Sequence, residues 1–160
     1  MLRDKLFAYH KWATQKILSH TESLGEEIYQ GEGDSSFSSI KETISHVITV
    51  EKLWFMRMTG IEKPPVEQFH VETAAEAKQA FMLLHAEMEL YFSSLSEVQW
   101  QEVMKFTNLR GKPFEETREE MLFTFINHAS YHRGQITSLL RQFGKEGIAV
   151  DYIYFPKENR

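Results

Sequence analysis

Cysteine is absent from the 160 residues. That excludes a disulfide scaffold, a thiolate zinc finger, an iron–sulfur cluster and a cysteine nucleophile. No apolar run reaches the ~18 residues of a membrane-spanning helix. Basic charge is scarce: 23 acidic against 18 basic residues leave a net charge of -5, and Lys and Arg form no cluster longer than two. A duplex-binding face needs a concentration of positive charge to meet phosphates, so no nucleic-acid partner is expected. Four prolines and eight glycines leave little material for linkers, and no internal repeat is evident. The N-terminus, MLRDKLFAYHKWATQK, carries charges every few residues and no apolar h-region. A signal peptide is therefore not expected there, and a cytoplasmic location is.

What is present suits a packed domain. Hydrophobic residues make up 42% and charged residues 26%, a balance that builds a core rather than a disordered chain. A single domain over residues 1–160 is expected. Leu2, Leu6, Tyr9, Ala13 and Ile17 recur at three- and four-residue steps, so an amphipathic helix is predicted from about Asp4 to Ser23. Residues 26–38 contain Gly31, Gly33, Asp34 and several serines and read as a loop. A second helix is predicted from Ser39, where Ser39 and Glu42 have capping-box spacing, to Gly60 as its C′ residue. A third starts at Thr73 with Glu76, and a fourth near Thr117 with Glu120, ending at Gly144. Residues 98–116 fit either a short hairpin or an irregular crossover. The aromatic and apolar tail, Ile148 to Phe155, is expected to pack back onto the domain. Trp12, Trp54, Phe81, Phe125 and Phe143 are expected mostly in the core. Four helices of roughly 20 residues point to an all-α four-helix bundle.

Seven histidines carry the chemical signal. His128 and His132 stand at i and i+4 on the apolar side of the fourth helix, one turn apart. Two inward imidazoles need polar partners, which a tyrosine, a glutamate, water or a metal ion can supply. His46, at the edge of the second helix's apolar arc, can join them if the two helices face each other. Three neutral imidazoles suit Zn(II), Ni(II) or a similar ion and leave a coordination position open. Residues 128–132 read HASYH, not H-E-x-x-H, so the zincin arrangement is excluded. Paired E-x-x-H motifs of di-iron bundles are missing too. His10, His20 and His70 read as surface residues, with His85 a weaker alternative ligand.

The combination resembles the DinB-like family, the metalloenzymes with a DinB/YfiT-type bundle, unrelated to the DNA polymerase that shares the name. The resemblance rests on Tyr9 to Ala13 (Y-x-x-W-A), on His46 followed by Glu51 and Trp54, on NHASYHRGQI at 127–136, and on VDYIYF at 150–155. It implies that His46, His128 and His132 bind a divalent metal. It also implies an up-down-down-up helix order, frequent homodimers and, in part of the family, thiol-dependent transferases and isomerases using bacillithiol or mycothiol.

On that basis the favoured expectation is a metal-dependent enzyme that transfers a low-molecular-weight thiol to an electrophilic small molecule. Metal binding keeps a thiol anionic near neutral pH. Arg133 is a candidate anchor for an anionic substrate, or a structural or surface arginine. Glu51 is a candidate acceptor for an imidazole N–H behind the site, or a solvated helix carboxylate. Tyr131 and Gln135 stay without a settled role. The alternatives are a hydrolase using activated water and a non-enzymatic, metal-stabilised binding protein.

Overall fold

The computed structural model describes residues 1–156. Its elements in chain order are α1 (Leu2–Leu24), α2 (Glu26–Gln30), α3 (Ile40–Met58), α4 (Ala74–Ser94), α5 (Glu97–Trp100), β1 (Val103–Thr107), β2 (Pro113–Thr117) and α6 (Arg118–Gln142), followed by a 3-10 turn at Tyr152–Tyr154. The fold is an all-α bundle built on the four long helices. The predicted starts hold: Ser39, Thr73 and Thr117 are the N-caps of α3, α4 and α6, and each hydroxyl accepts the backbone N–H three residues on. Thr117 and Glu120 close a reciprocal capping box. Glu42 and Glu76 instead reach one residue further back, to the N–H groups of Ser38 and Glu72. Gly60 and Gly144 have φ of 100° and 68°. Ile61 and Lys145 return their N–H groups to Met56 and Leu140, the Schellman ending that a glycine at C′ permits.

Helix α1 packs against α4 and α6, and α3 packs against the same two, so the consecutive long helices α1 and α3 occupy opposite corners. Cross-helix bonds set the directions. Lys11 meets Glu89 while Lys78 meets Glu22, so α1 and α4 run antiparallel. His46 meets His128 while Arg118 bonds the Met58 carbonyl, so α3 and α6 do as well. Glu51 to His85 and Met58 to Tyr91 make α3 and α4 parallel. The core between them holds Leu18, Ile48, Phe81, Met88, Met121, Phe125, Ile136 and Leu139, all with 2% or less of their surface exposed.

Several expectations need correction. The loop expected over 26–38 begins with α2, whose Tyr29 is fully buried and donates its hydroxyl to the Val71 carbonyl. Residues 103–117, by contrast, form an antiparallel hairpin, one of the two forms expected for this stretch. Phe106 and Phe114 pair across it with rings 5.7 Å apart, and Arg57 lies over both Phe106 and Trp54. Phe81 and Phe125 are core residues as expected, whereas Trp12, Trp54 and Phe143 are half-buried. The tail does pack back. Tyr9 donates to the Val150 carbonyl and Phe155 is buried, though Ile153 and Tyr154 stay exposed. Among the described residues no helix is long and apolar enough to cross a membrane.

Candidate metal centre

Helix α6 turns two faces to two neighbours. One carries His128 and His132 towards α3, where His46 meets them. His46 Nε2 lies 3.2 Å from His128 Nε2, and His132 Nε2 lies 3.1 Å from the same atom. One ligand atom from each ring falls within 4.8 Å of the other two. His46 and His128 are half-buried and His132 is buried. The structure thus brings together the three histidines expected at the site.

The donor set fits a divalent ion. A single Nε2 offers one hydrogen or one lone pair, so His128 Nε2 can at best share one hydrogen between two neighbours. A cation among the three would use every lone pair. Imidazoles held about 2.0–2.1 Å from a tetrahedral zinc stand about 3.3 Å apart, close to the spacings seen. Burial is the main reason that all three pKa values are lowered, His128 to about 4, with the neighbouring imidazoles adding to the effect at His46 and His128. The rings are therefore neutral at pH 7 and free to donate. His132 Nδ1 faces Gln135 Oε1 at 2.7 Å. An amide oxygen only accepts, so Nδ1 carries the hydrogen and the Nε2 lone pair points into the cluster. Phe37 covers the site, 4.6 Å from the His46 ring and 5.8 Å from that of His132. Exposed Tyr131 stands at the rim, 5.2 Å from His132.

A second cluster of similar composition occupies the core. His10, expected at the surface, is completely buried, as is Glu51, expected behind a metal ligand or in solvent. Glu51 Oε1 lies 3.1 Å from His10 Nε2, off the line of a hydrogen bond, and Glu51 Oε2 lies 3.0 Å from His85 Nε2. Arg133 completes the group from α6. Its Nη1 lies 3.2 Å from His10 Nδ1, and its other bonds go to Thr14 and Ser130. Each long helix contributes one residue.

The two clusters differ in what stands behind the imidazole. A guanidinium has no lone pair, so His10 Nδ1 must accept and Nε2 must hold the hydrogen. That nitrogen has no electrons left for a metal. A dication there would also add to the buried Arg133 charge, whereas Glu51 and Arg133 alone balance. Burial would raise the Glu51 pKa, but His10 and His85 outweigh it and hold the carboxyl well below the usual range. Burial lowers the His10 pKa to about 4. The core cluster is an Arg–His–Glu–His network carrying one charge of each sign, and it unites Glu51 and Arg133 away from the three converging Nε2 atoms. His10 was legible in one respect: it continues the 6–10–13–17 spacing of the first helix.

A helical bundle with three histidines converging from two antiparallel helices defines a bundle protein with a donor set that could hold a metal ion. Comparison with known proteins makes this specific. The DinB family model matches residues 1–160, and the chain belongs to that family. Protein DinB of Bacillus subtilis is 31% identical over 156 residues, covering 92% of this chain and 90% of that protein. Among solved structures, a DinB-like protein of Bacillus cereus superposes with a TM-score of 0.70 at 21% identity, over 89% of this chain and 91% of the other. YfiT of Bacillus subtilis, described as a probable metal-dependent hydrolase with an unusual four-helix bundle topology, gives a TM-score of 0.70 at 14% identity, over 90% and 89%. At these identities the two structures establish likeness of fold.

Proposed function

We propose that this protein is a divalent-metal-dependent enzyme whose ion is held by His46, His128 and His132. The observation that carries this reading is the meeting of three neutral Nε2 atoms at one point with one lone pair already fixed by Gln135. A bound Zn or Ni ion would supply the Lewis acidity that makes a thiol or a water nucleophilic near pH 7. The favoured reaction is transfer of a low-molecular-weight thiol such as bacillithiol to an electrophilic small molecule. A chain without cysteine needs its thiol from solution, which agrees with that choice. Phe37 would shield one side of the site from water, and Tyr131 would line its entrance. In this reading Arg133 and Glu51 act from behind, as a charge pair that fixes α6 against α3. Hydrolysis is the second reading, favoured by the description of YfiT.

The directions of the cross-helix bonds support an up-down-down-up order. A homodimer and a cytoplasmic location complete the proposal. Between Glu120 and Arg141 the exposed row of α6, with Phe123, Asn127, Tyr131, Gly134 and Ser138, carries no charge and suits a second copy.

Metal analysis of wild type and of the His46→Ala, His128→Ala, His132→Ala triple variant tests the site. About one ion per chain is expected in the former and none in a still-folded latter. Metal-loaded protein is then given an electrophile with and without bacillithiol, and an ester without it. Thiol-dependent conjugation supports transfer, and ester cleavage supports hydrolysis. Inertness towards both, in protein that holds its metal, would leave a metal-stabilised binding protein.

A further inference from the structure

We infer that Gln135, gripped by Ser36, is a positioning residue for the three-histidine site, and that residues 31–38 are the strap that keeps it in place. The inference rests on the metal-site reading above.

Gln135 is bonded at both ends of its amide. Oε1 accepts from His132 Nδ1 at 2.7 Å, and Nε2 donates to Ser36 Oγ at 2.8 Å. Rotating the amide would set its NH2 against the imidazole N–H, so the histidine accepts only this orientation, and the serine hydroxyl, which can donate or accept, holds the amide at its place. The amide that faces His132 Nδ1 is thus anchored by a residue outside the helices.

That residue must itself stay still, and the segment around it is fastened to α6. Asp34 exchanges two hydrogen bonds with the Gln142 side chain, at 2.8 and 2.9 Å. The Gly33 N–H closes onto the Ser38 carbonyl at 2.7 Å. A β-carbon at Gly33 would stand 2.8 Å from Leu139 Cδ2 and 3.0 Å from Gln142 Oε1, so any side chain there would have to displace the ends of these two. Gln135, Leu139 and Gln142 form one row along α6, and the strap follows it. At its far end Phe37 rests on the ring of His46, a ligand from the other helix. The strap therefore addresses two of the three ligands. His128 lacks such support among the described residues, where its buried Nδ1 meets no hydrogen-bond partner.

The test uses the full chain with zinc and cobalt(II) as probes. Zinc affinity is measured by competition with a chromophoric chelator, and ligand geometry by the visible spectrum of the cobalt form. Gln135→Ala is expected to weaken zinc binding about 10–100-fold, the usual cost of losing a partner behind a metal-binding histidine, and to shift the cobalt bands without changing helix content. Gln135→Glu restores affinity, because a carboxylate accepts the same N–H. Ser36→Ala gives a smaller loss in the same direction. Zinc binding by Gln135→Ala within about twofold of wild type, with an unchanged cobalt spectrum, would overturn the inference. So would equal losses in the Ala and Glu variants, which would mark Gln135 as a packing residue. Equal zinc binding by wild type and the triple histidine variant would remove the metal-site reading itself, and this inference with it.

Discussion

Replacing Glu51 with Gln isolates the charge in the buried network. Shape and most hydrogen bonding survive the change. The amide oxygen can accept from His10 Nε2–H, and the amide nitrogen can donate to His85 Nε2 if that ring changes tautomer. What is lost is the counter-charge to Arg133, whose surface is 6% exposed. Removing one member of a buried pair costs about 3–5 kcal/mol, because the remaining charge stays buried alone. Arg133 keeps its bonds to Thr14 and Ser130, so the lower end, about 3 kcal/mol, is expected. For a chain of this size that lowers Tm by roughly 6–12 °C. Urea denaturation and thermal melting of metal-free protein measure it. Arg133→Met in the Glu51→Gln background removes the stranded cation and should recover part of the loss, so the two changes couple strongly. A loss below about 1 kcal/mol, or simple additivity with Arg133→Met, would refute the view that these groups balance each other across His10.

Stability should also fall on acidification. An unfolded histidine titrates near pH 6.5, whereas burial holds His10 at about 4 and His128 likewise in metal-free protein. Between those values the unfolded chain binds protons that the fold excludes, so stability is full above pH 6.5 and declines towards pH 4. The lowered Glu51 pKa extends the loss further into the acid range. Equal urea midpoints at pH 7 and pH 5 would contradict a buried neutral His10. At the tail, a β-carbon on Gly147 would meet Thr137 Cγ2 at 2.6 Å. Gly147→Ala should cost about 1–3 kcal/mol as an overpacked contact, and Thr137→Ser, which lacks that methyl, should relieve it in a double-mutant cycle.

The helix starts and the histidine cluster were legible because their signals are local. A hydroxyl three residues before a glutamate, or two histidines four apart, can be read without knowing the partner helix. The core network was not, for an instructive reason. The buried positions of α1 are Arg3, Phe7, His10, Ala13, Thr14, Ile17, Leu18 and Thr21. Arg3, His10, Thr14 and Thr21 are polar, so following hydrophobicity shifts the stripe by about one residue, towards Leu2, Leu6 and Tyr9. Leu2 is in fact 68% exposed. Polar residues are accepted inside only when partners from distant segments satisfy them, and for His10 those partners lie on α3 and α6. Tyr29 was missed similarly, since Val71, which receives its hydroxyl, is 42 residues away. The hairpin stayed ambiguous because a two-stranded ribbon offers only five residues per strand for alternation.

The network of Arg133, His10, Glu51 and His85 has a consequence for the order of assembly. Arg133 is in effect a cation that arrives with the chain, already attached to α6 and already counted against Glu51. The interior is complete in charge as soon as the four helices meet. The peripheral histidines are not needed for that balance, so under the proposed function an ion would enter last, at the edge of a finished fold. An ion acquired in this way would exchange without unfolding its host, and its identity would reflect the supply in its surroundings as much as the preference of three imidazoles.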